Sequence, residues 1–237
     1  SVIREIFEYG KKPAAEVGAD KVFDFSLGNP SVQPPQIVED TLVGLLREED
    51  ATALHGYTSA QGDLSVRRAI AEYIAATHGV KADPDLIYMT CGAAASLTIT
   101  LSALCEKGDE VITFAPFFTE YRVFTETAGA KLVELASDPE TFQIDFPRLE
   151  KAFTEKTAAV LLNSPNNPSG VVYSEETVKK LAALLARKSA EYGKTIYLVT
   201  DEPYRELVYG GVKVPYLTAY YKHTVVCYSY SKSLSLP

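Results

Sequence analysis

Short, β-branched apolar runs alternate with longer helical patterns along most of this chain. Such alternation predicts an α/β fold with a mostly parallel central sheet and helices on both faces, because parallel strands are joined through crossover connections. The apolar continuity of the runs indicates strands buried on both faces. The predicted strands are residues 86–90, 110–114, 131–135, 158–162, 196–200 and 224–228, and the helices between them are 62–78, 93–105, 118–128 and 174–191.

The first fifty residues follow a different pattern. One amphipathic helix is predicted over residues 2–17, followed by a Gly- and Pro-punctuated stretch over 26–35 and a second helix that ends near Glu49. We therefore expect an appended N-terminal segment, residues 1–50, and a main α/β domain, residues 51–237. With 46% hydrophobic residues among 237, the chain can bury a large core.

Charge and cysteine usage exclude several classes of protein. The chain has 31 acidic and 23 basic residues, which gives a net charge of −8, the wrong sign for a protein that binds phosphate backbones. No stretch approaches the roughly 20 apolar residues of a membrane helix. The cysteines are widely spaced, which suits reduced thiols in the cytoplasm, and the scattered histidines predict no metal site. These residues are Cys91, Cys105, Cys227, His55, His78 and His223.

The residues that follow each predicted strand are the best candidates for a site, because ligands of open parallel sheets bind beyond the carboxyl ends of the strands. After residues 86–90, a run of small residues that includes Gly92, Ala93 and Ala94 opens a helix. Backbone N–H groups in such a run can approach an anion closely. Taken alone, a tightly packed strand–helix corner explains this run better.

Two further strand ends carry aromatic and amide groups. Phe117 and Phe118 follow residues 110–114, where a ring could stack on a planar ligand, although two phenylalanines are more often core residues. Residues 163–170, which follow 158–162, are rich in Asn and Pro, so the amides are expected to point at a fixed partner. A surface turn explains this segment nearly as well.

The last two strand ends supply an acid and an amine. Asp201 follows residues 196–200, and a carboxylate at the end of a buried strand is costly unless a cation or several hydrogen bonds compensate it. Lys232 lies among hydroxyl groups just after residues 224–228, where desolvation can lower the pKa of an amine. Taken alone, Lys232 could equally be a surface lysine.

Together, the strand ends match the chemical needs of pyridoxal 5′-phosphate. The phosphate suits a helix N-terminus, the pyridinium nitrogen suits a carboxylate, and the ring suits a stacked aromatic side chain. The phenolic oxygen suits amide and tyrosine donors, and the aldehyde suits an amine. Few other ligands require all five groups, so the combination favours this cofactor.

At this point the motifs resemble those of the class I/II aminotransferases, which are pyridoxal-phosphate enzymes of fold type I. The order and spacing of the motifs agree with the family, and the resemblance spans essentially the whole chain. It implies the large domain of an aspartate-aminotransferase-like enzyme, with residues 1–50 contributing part of the small domain. The matching motifs are SLGNP at 26–30, YTSAQG at 57–62 with Leu64 and Arg67, NSPNNPSG at 163–170, DEPY at 201–204 and SYSK at 229–232.

The resemblance implies a role for each matching residue in catalysis. Lys232 would bind the cofactor as a Schiff base and then move a proton between the substrate Cα and the C4′ carbon of the cofactor. Asp201 would keep the pyridine nitrogen protonated. Asn167 and Tyr204 would donate hydrogen bonds to the phenolic oxygen, and the Phe118 ring would stack on the cofactor.

The resemblance also implies how the phosphate, the substrate and a second subunit are bound. Gly92, Ala93, Ala94 and Ser229 would hold the phosphate. Gly28 would contact the substrate carboxylate, and Asn167 would also bind the substrate. Tyr57 would reach the phosphate of the neighbouring subunit, which implies a homodimer with shared sites. The family usually places a polar residue or lysine near Ala94, so we expect backbone contacts to serve the phosphate here.

The chain departs from the family at its end. Only five residues follow Lys232, whereas family members continue for well over a hundred. The resemblance implies that this further part supplies a phosphate-binding arginine, the rest of the large domain and the small domain with the arginine that clamps the substrate carboxylate. We therefore expect the chain to be the N-terminal part of a longer protein and to be inactive by itself.

The resemblance implies a cytoplasmic enzyme that transfers an amino group between an L-amino acid and a 2-oxo acid. A C–S β-lyase of the same fold is the alternative, because it shares nearly all these residues. A regulatory domain that retains the fold without catalysis is a third hypothesis. The acidic charge and the lack of a helix-turn-helix pattern disfavour DNA binding by such a domain.

Overall fold

The structure is a computed structural model that describes residues 2–23, 25, 28 and 30–237, with the side chains of residues 2–4 left out. Of the motif at residues 26–30, Gly28 and Pro30 lie within the described part of the chain. The other three residues of this motif, Ser26, Leu27 and Asn29, lie outside the described residues.

Five parallel strands form one sheet in the order β2-β1-β3-β4-β5. This architecture confirms the predicted α/β fold with a parallel sheet. Each strand lies within one residue of its predicted bounds, because buried parallel strands are marked by continuous apolar runs. The strands are β1 (Glu110–Ala115), β2 (Lys131–Ala136), β3 (Thr157–Asn163), β4 (Tyr197–Asp201) and β5 (Thr224–Cys227).

Eight α-helices are found in the described part of the chain, and six of them match the predicted helices to within two residues. The two that were not predicted are short: α3 has four residues and α7 has seven, so neither is long enough for a repeated apolar pattern to show in the sequence. The helices are α1 (Val2–Val17), α2 (Gln36–Glu48), α3 (Ala51–Leu54), α4 (Leu64–His78), α5 (Ala93–Leu104), α6 (Glu120–Thr127), α7 (Phe146–Ala152) and α8 (Glu175–Tyr192).

The predicted strand at residues 86–90 is wrong. Asp83 caps a short 3-10 helix, Pro84–Leu86, and the residues that follow it run without pairing to the described strands of the sheet. Leu86 and Tyr88 are largely exposed, at 79% and 63%. A β-strand is stable only when a neighbouring strand satisfies its backbone, and apolar composition alone does not supply that neighbour.

The sheet is covered on both faces, as alternating residues along each strand show. One set, which includes Ile112, Val160 and Leu198, packs with residues of α7 and α8 in one apolar cluster. The residues that alternate with this set along the strands, which include Val111, Leu161 and Val199, pack with residues of α5 and α6 in the other cluster. Because every residue of β3 is buried, the core is centred on this strand.

The carboxyl ends of the central strands form one rim of the sheet. Asn163 at the end of β3 pairs in register with Asp201 at the end of β4, and Asp201 pairs with Cys227 at the end of β5. The chain runs from β1 outward to β2 and then returns to β3, so the strand order reverses between β1 and β3. Such a switch point opens a crevice at the carboxyl ends, where ligands of α/β proteins bind.

Candidate active site

Asp201 is the buried acid at the centre of this rim. Its backbone carbonyl accepts a hydrogen bond from Asn163 Nδ2 at 2.6 Å, and its Oδ2 accepts one from the hydroxyl of Tyr121, also at 2.6 Å. The other carboxylate oxygen, Oδ1, is buried without a hydrogen-bond partner in the structure. A buried polar atom that lacks a partner is costly, so Oδ1 is suited to receive a donor from a ligand.

The environment of Asp201 disfavours its charge. Burial raises the pKa of the carboxyl to about 6; the hydrogen bond from Tyr121 opposes this rise, and the nearby Glu202 carboxylate adds to it. Burial and the charge of Asp201 raise the pKa of Tyr121 well above its usual range, so this phenol stays protonated as a donor. A cationic N–H donor at Oδ1 would stabilise the charged carboxylate.

This shifted pKa makes stability depend on pH. Because the carboxyl titrates near 6 in the folded chain and near 3.8 when unfolded, its contribution to stability is fully present below pH 3.8 and is lost as pH rises through 6. We expect Asp201→Asn to gain about 2 kcal/mol of relative stability between pH 4 and pH 7 in cofactor-free protein. Urea unfolding at several pH values measures this gain. The exposed Asp20→Asn is the control, and a pH-independent difference for Asp201→Asn would contradict the expectation.

Asn163 connects the Asn-rich turn to the acid. Its Oδ1 accepts the backbone N–H of Asn167 at 2.5 Å, while its Nδ2 donates to the carbonyl of Asp201. Asn167 in turn donates through its own amide to the hydroxyl of Tyr204 at 3.3 Å. The predicted residues Asn167, Tyr204 and Asp201 are therefore brought together, and their shared neighbour is a side chain to which the sequence assigned no role.

A buried ion pair supports the segment that carries Tyr204. Glu202 is fully buried and accepts hydrogen bonds from Thr200 Oγ1 at 2.8 Å and from Arg205 Nε at 2.6 Å. Burial raises the pKa of Glu202, and the guanidinium of Arg205 opposes this rise. The same guanidinium donates to the carbonyls of Val214 and Pro215, so the turn between β4 and residue 215 is held in place.

Phe117 and Phe118 follow β1 and contact Tyr121 of α6. The Phe118 ring lies edge-on to the Tyr121 ring with centroids 5.7 Å apart, and the Phe117 ring is stacked on it at 6.2 Å. All three side chains belong to the cluster on the α5 and α6 face or pack against it. Phe118 keeps partial exposure, so its ring remains available to a ligand at the rim.

The N-terminus of α5 offers backbone donors beside the same rim. Gly92 precedes the helix with φ +84°, a conformation that favours glycine, and no side chain caps the helix. The first N–H groups of α5, including those of Ala93 and Ala94, therefore lack helical partners. Thr100 of α5 lies 3.8 Å from the thiol of Cys227, which ends β5 next to Asp201, so this helix packs against the rim.

Lys232 lies in the turn after β5. Ser229, which precedes it in this turn, is buried, with 8% of its surface exposed, and accepts a hydrogen bond from the backbone N–H of Ser231. Lys232 Nζ donates to the carbonyl of Gly28 at 3.0 Å, so the structure brings together two predicted residues that are 204 positions apart. The amine is partly exposed and can be reached by a ligand.

Tyr57 is set apart from the other predicted residues. Its side chain is fully exposed, at the start of the segment 57–62. Arg67 is buried and donates to the carbonyls of Gly62 and Pro84, at 3.2 Å and 2.7 Å, and Gln61 donates to the carbonyl of Asp85. The segment that carries Tyr57 is thus anchored to the chain around residues 84–85.

The arrangement fits pyridoxal 5′-phosphate. Asp201 Oδ1 lacks a donor, the pyridinium N–H of the cofactor can supply one, and amide, phenol, amine and helix N-terminal groups surround the same rim. Fold and site together define a pyridoxal-phosphate-binding domain of the aspartate-aminotransferase-like fold. Residues 20–237 match the family model of class I and II aminotransferases, so this chain belongs to the class I and II aminotransferase family.

Individual relatives agree with this assignment. The chain is 31% identical over 209 residues to the probable aspartate aminotransferase of Methanocaldococcus jannaschii, and the match covers 88% of this chain and 51% of that protein. It is 32% identical over 185 residues to the aspartate/prephenate aminotransferase of Thermus thermophilus, and this match covers 78% of this chain and 46% of that protein. The chain thus spans about half the length of the curated relatives it matches.

Solved structures show the same similarity in three dimensions. An amino transferase from Eubacterium rectale matches the whole chain at 60% identity with a TM-score of 0.95, and the match covers 60% of that structure. Aspartate aminotransferase from Thermus thermophilus with maleate matches the whole chain at 28% identity with a TM-score of 0.84, and the match covers 59% of that structure. In the described part of this chain, no helix has the length and apolar character needed to cross a membrane.

Proposed function

We propose that the protein carrying this chain is an aminotransferase that moves an amino group between an L-amino acid and a 2-oxo acid. The observation that carries the proposal is Asp201 Oδ1, which is buried without a donor at the rim where Asn167 and Tyr204 also converge. A pyridinium N–H is the donor that such an acid suits. The family assignment and the aminotransferase names of the relatives support the same chemistry.

When bound, pyridoxal phosphate supplies an electron sink for the electrons released as the substrate Cα–H bond breaks. In our proposal Lys232 would hold the cofactor through its amine and, once displaced by the substrate amine, would move the proton from the substrate Cα to the aldehyde carbon of the cofactor. The amine is suited to this work because it extends from a turn beside the rim. Asp201 holds the proton on the pyridine nitrogen.

The remaining groups bind and orient the cofactor. Asn167 and Tyr204 donate to its phenolic oxygen, and the Phe118 ring stacks on its face. The free N–H groups at the start of α5, with the hydroxyl of Ser229, bind the phosphate. The backbone contributors there are Gly92, Ala93 and Ala94.

Gly28 and Tyr57 are assigned to contacts outside the cofactor ring. We propose that Gly28 and Asn167 orient the substrate carboxylate, since Gly28 already lies at the tip of Lys232. The fully exposed Tyr57 is proposed to reach the phosphate of a second subunit in a homodimer. Cytoplasmic location and a division of the chain near residue 50 stay predictions.

The proposal is tested by supplying the full-length gene product with pyridoxal phosphate and an amino acid. We expect visible absorbance from the bound cofactor, and amino-acid consumption at least tenfold faster with a 2-oxo acid acceptor than without one. Release of pyruvate and ammonia without any acceptor would instead identify a β-lyase. Protein that binds no cofactor would support the regulatory hypothesis and contradict both enzymes.

A further inference from the structure

Among the described residues, Tyr121 is the one whose side chain donates a hydrogen bond to a carboxylate oxygen of Asp201. It is fully buried and comes from α6, which follows β1, so it reaches Asp201 across β3, two strands away in the sheet. The rings of Phe117 and Phe118 pack against the Tyr121 ring and restrict its orientation. The hydroxyl is therefore held at a fixed point beside the acid.

This contact leaves the second carboxylate oxygen in a defined position. The Asp201 backbone is tied to Asn163, and Oδ2 is tied to Tyr121 at 2.6 Å, so rotation of the carboxylate is restrained at both ends. Oδ1 is the oxygen left without a partner. A hydrogen bond to one oxygen of a carboxylate also stabilises its charged form.

We propose that Tyr121 is a positioning residue for the cofactor: its hydroxyl fixes the Asp201 carboxylate so that Oδ1 faces the cofactor nitrogen, and it keeps their shared proton on that nitrogen. This inference rests on the proposed function, since it concerns the same cofactor. It adds a residue to which no motif pointed.

The proton shared between Asp201 and the nitrogen can lie on either partner. On the nitrogen, it leaves a carboxylate and a pyridinium; on Oδ1, it leaves a neutral acid and a neutral pyridine, with no change in net charge. Burial favours the neutral pair. The Tyr121 hydroxyl favours the charged pair because it donates to the carboxylate, and a pyridinium withdraws electrons better than a neutral pyridine.

The other titratable groups near Asp201 do not supply this stabilisation. Burial and then the charge of Glu202 raise the pKa of the Asp201 carboxyl, and burial and then the charge of Asp201 raise the pKa values of Tyr204 and Cys227. None of these three donates a hydrogen bond to the carboxylate in the structure. Removing the Tyr121 hydroxyl therefore takes away the donor that opposes desolvation.

The first test uses cofactor-free, full-length protein and follows the side-chain ¹³C signal of Asp201 against pH. In Tyr121→Phe we expect the pKa of Asp201 to rise by about one pH unit or more, because a donor to the charged form is lost. The matched control is Tyr221→Phe, which removes a buried hydroxyl that donates to the carbonyl of Ile196, next to the opposite end of β4. We expect the pKa of Asp201 to be unchanged in this control variant.

The second test uses cofactor labelled with ¹⁵N in its ring. The nitrogen signal of the wild type and of Tyr221→Phe should be that of a pyridinium, and that of Tyr121→Phe should move toward a neutral pyridine. If Tyr121→Phe does not fold, replacement of Tyr121 by 3-fluorotyrosine, a stronger donor, should lower the pKa of Asp201 instead.

The outcomes separate this inference from the function on which it rests. The role of Tyr121 would be overturned if Tyr121→Phe left both the pKa of Asp201 and the ring-nitrogen signal unchanged. It would also be overturned if Tyr121→Phe and Tyr221→Phe shifted the pKa of Asp201 equally. Protein that binds no cofactor in any variant would overturn the proposed function. In that case, the ¹³C titration alone would still decide whether Tyr121 governs the charge of Asp201.

Discussion

Replacing Lys232 by alanine should reduce turnover by roughly four orders of magnitude or more, because one amine both holds the cofactor and moves the proton. Steady-state rates of the full-length protein measure the loss. The same variant should lose the covalent bond to the cofactor, which in the wild type borohydride makes permanent and peptide mass analysis locates at Lys232.

The exposed Lys222→Ala provides the matched control, since it removes another lysine ten residues earlier, before β5. We expect this variant to keep its rate and its covalent cofactor. The structural reason for choosing Lys232 is its position after β5, where its amine meets the carbonyl of Gly28. A borohydride-stable adduct in Lys232→Ala would show that another lysine carries the cofactor.

Replacing Asp201 by alanine should have the second largest effect. The cofactor should stay bound to Lys232, since Asp201 contacts the opposite side of the ring in our proposal, but removal of the Cα proton should slow by about 10²- to 10⁴-fold. Without the carboxylate, the ring nitrogen loses the partner that holds its proton. Exchange of the substrate Cα proton with deuterated solvent measures this step directly.

Asp20→Ala serves as the control, because it removes an exposed carboxylate from the N-terminal segment. Its exchange rate should equal that of the wild type. An unchanged exchange rate in Asp201→Ala would refute the role proposed for the acid. Loss of the covalent cofactor in that variant would mean that Asp201 is needed for binding as well.

The sheet could be predicted from the sequence because its strands are buried on both faces and are therefore apolar along their whole length. The strand β3, buried at every position, is the clearest example. Residues 86–90 have a similar composition and misled the prediction. Strand formation depends on a neighbour in space, and local composition carries no information about that neighbour.

The site could be predicted only in part. Asp201 stands out because a charged residue directly after an apolar run is conspicuous, and Asn167 and Lys232 lie in recognisable motifs. Tyr121 carries no such signal, because a buried tyrosine within a helix has the pattern of a core residue. Asn163 opens the same motif as Asn167, but the sequence alone assigns it no role beyond the edge of a turn.

Asn163 has a consequence for how the proposed site tolerates change. One of its amide atoms holds the turn of Asn167 and the other holds the strand end of Asp201. In the proposed complex Asn167 contacts the phenolic oxygen and Asp201 contacts the ring nitrogen of the same ring, so a single planar side chain sets the distance between the two residues that hold it. A longer or shorter residue at position 163 would alter that distance even though it never touches the ring.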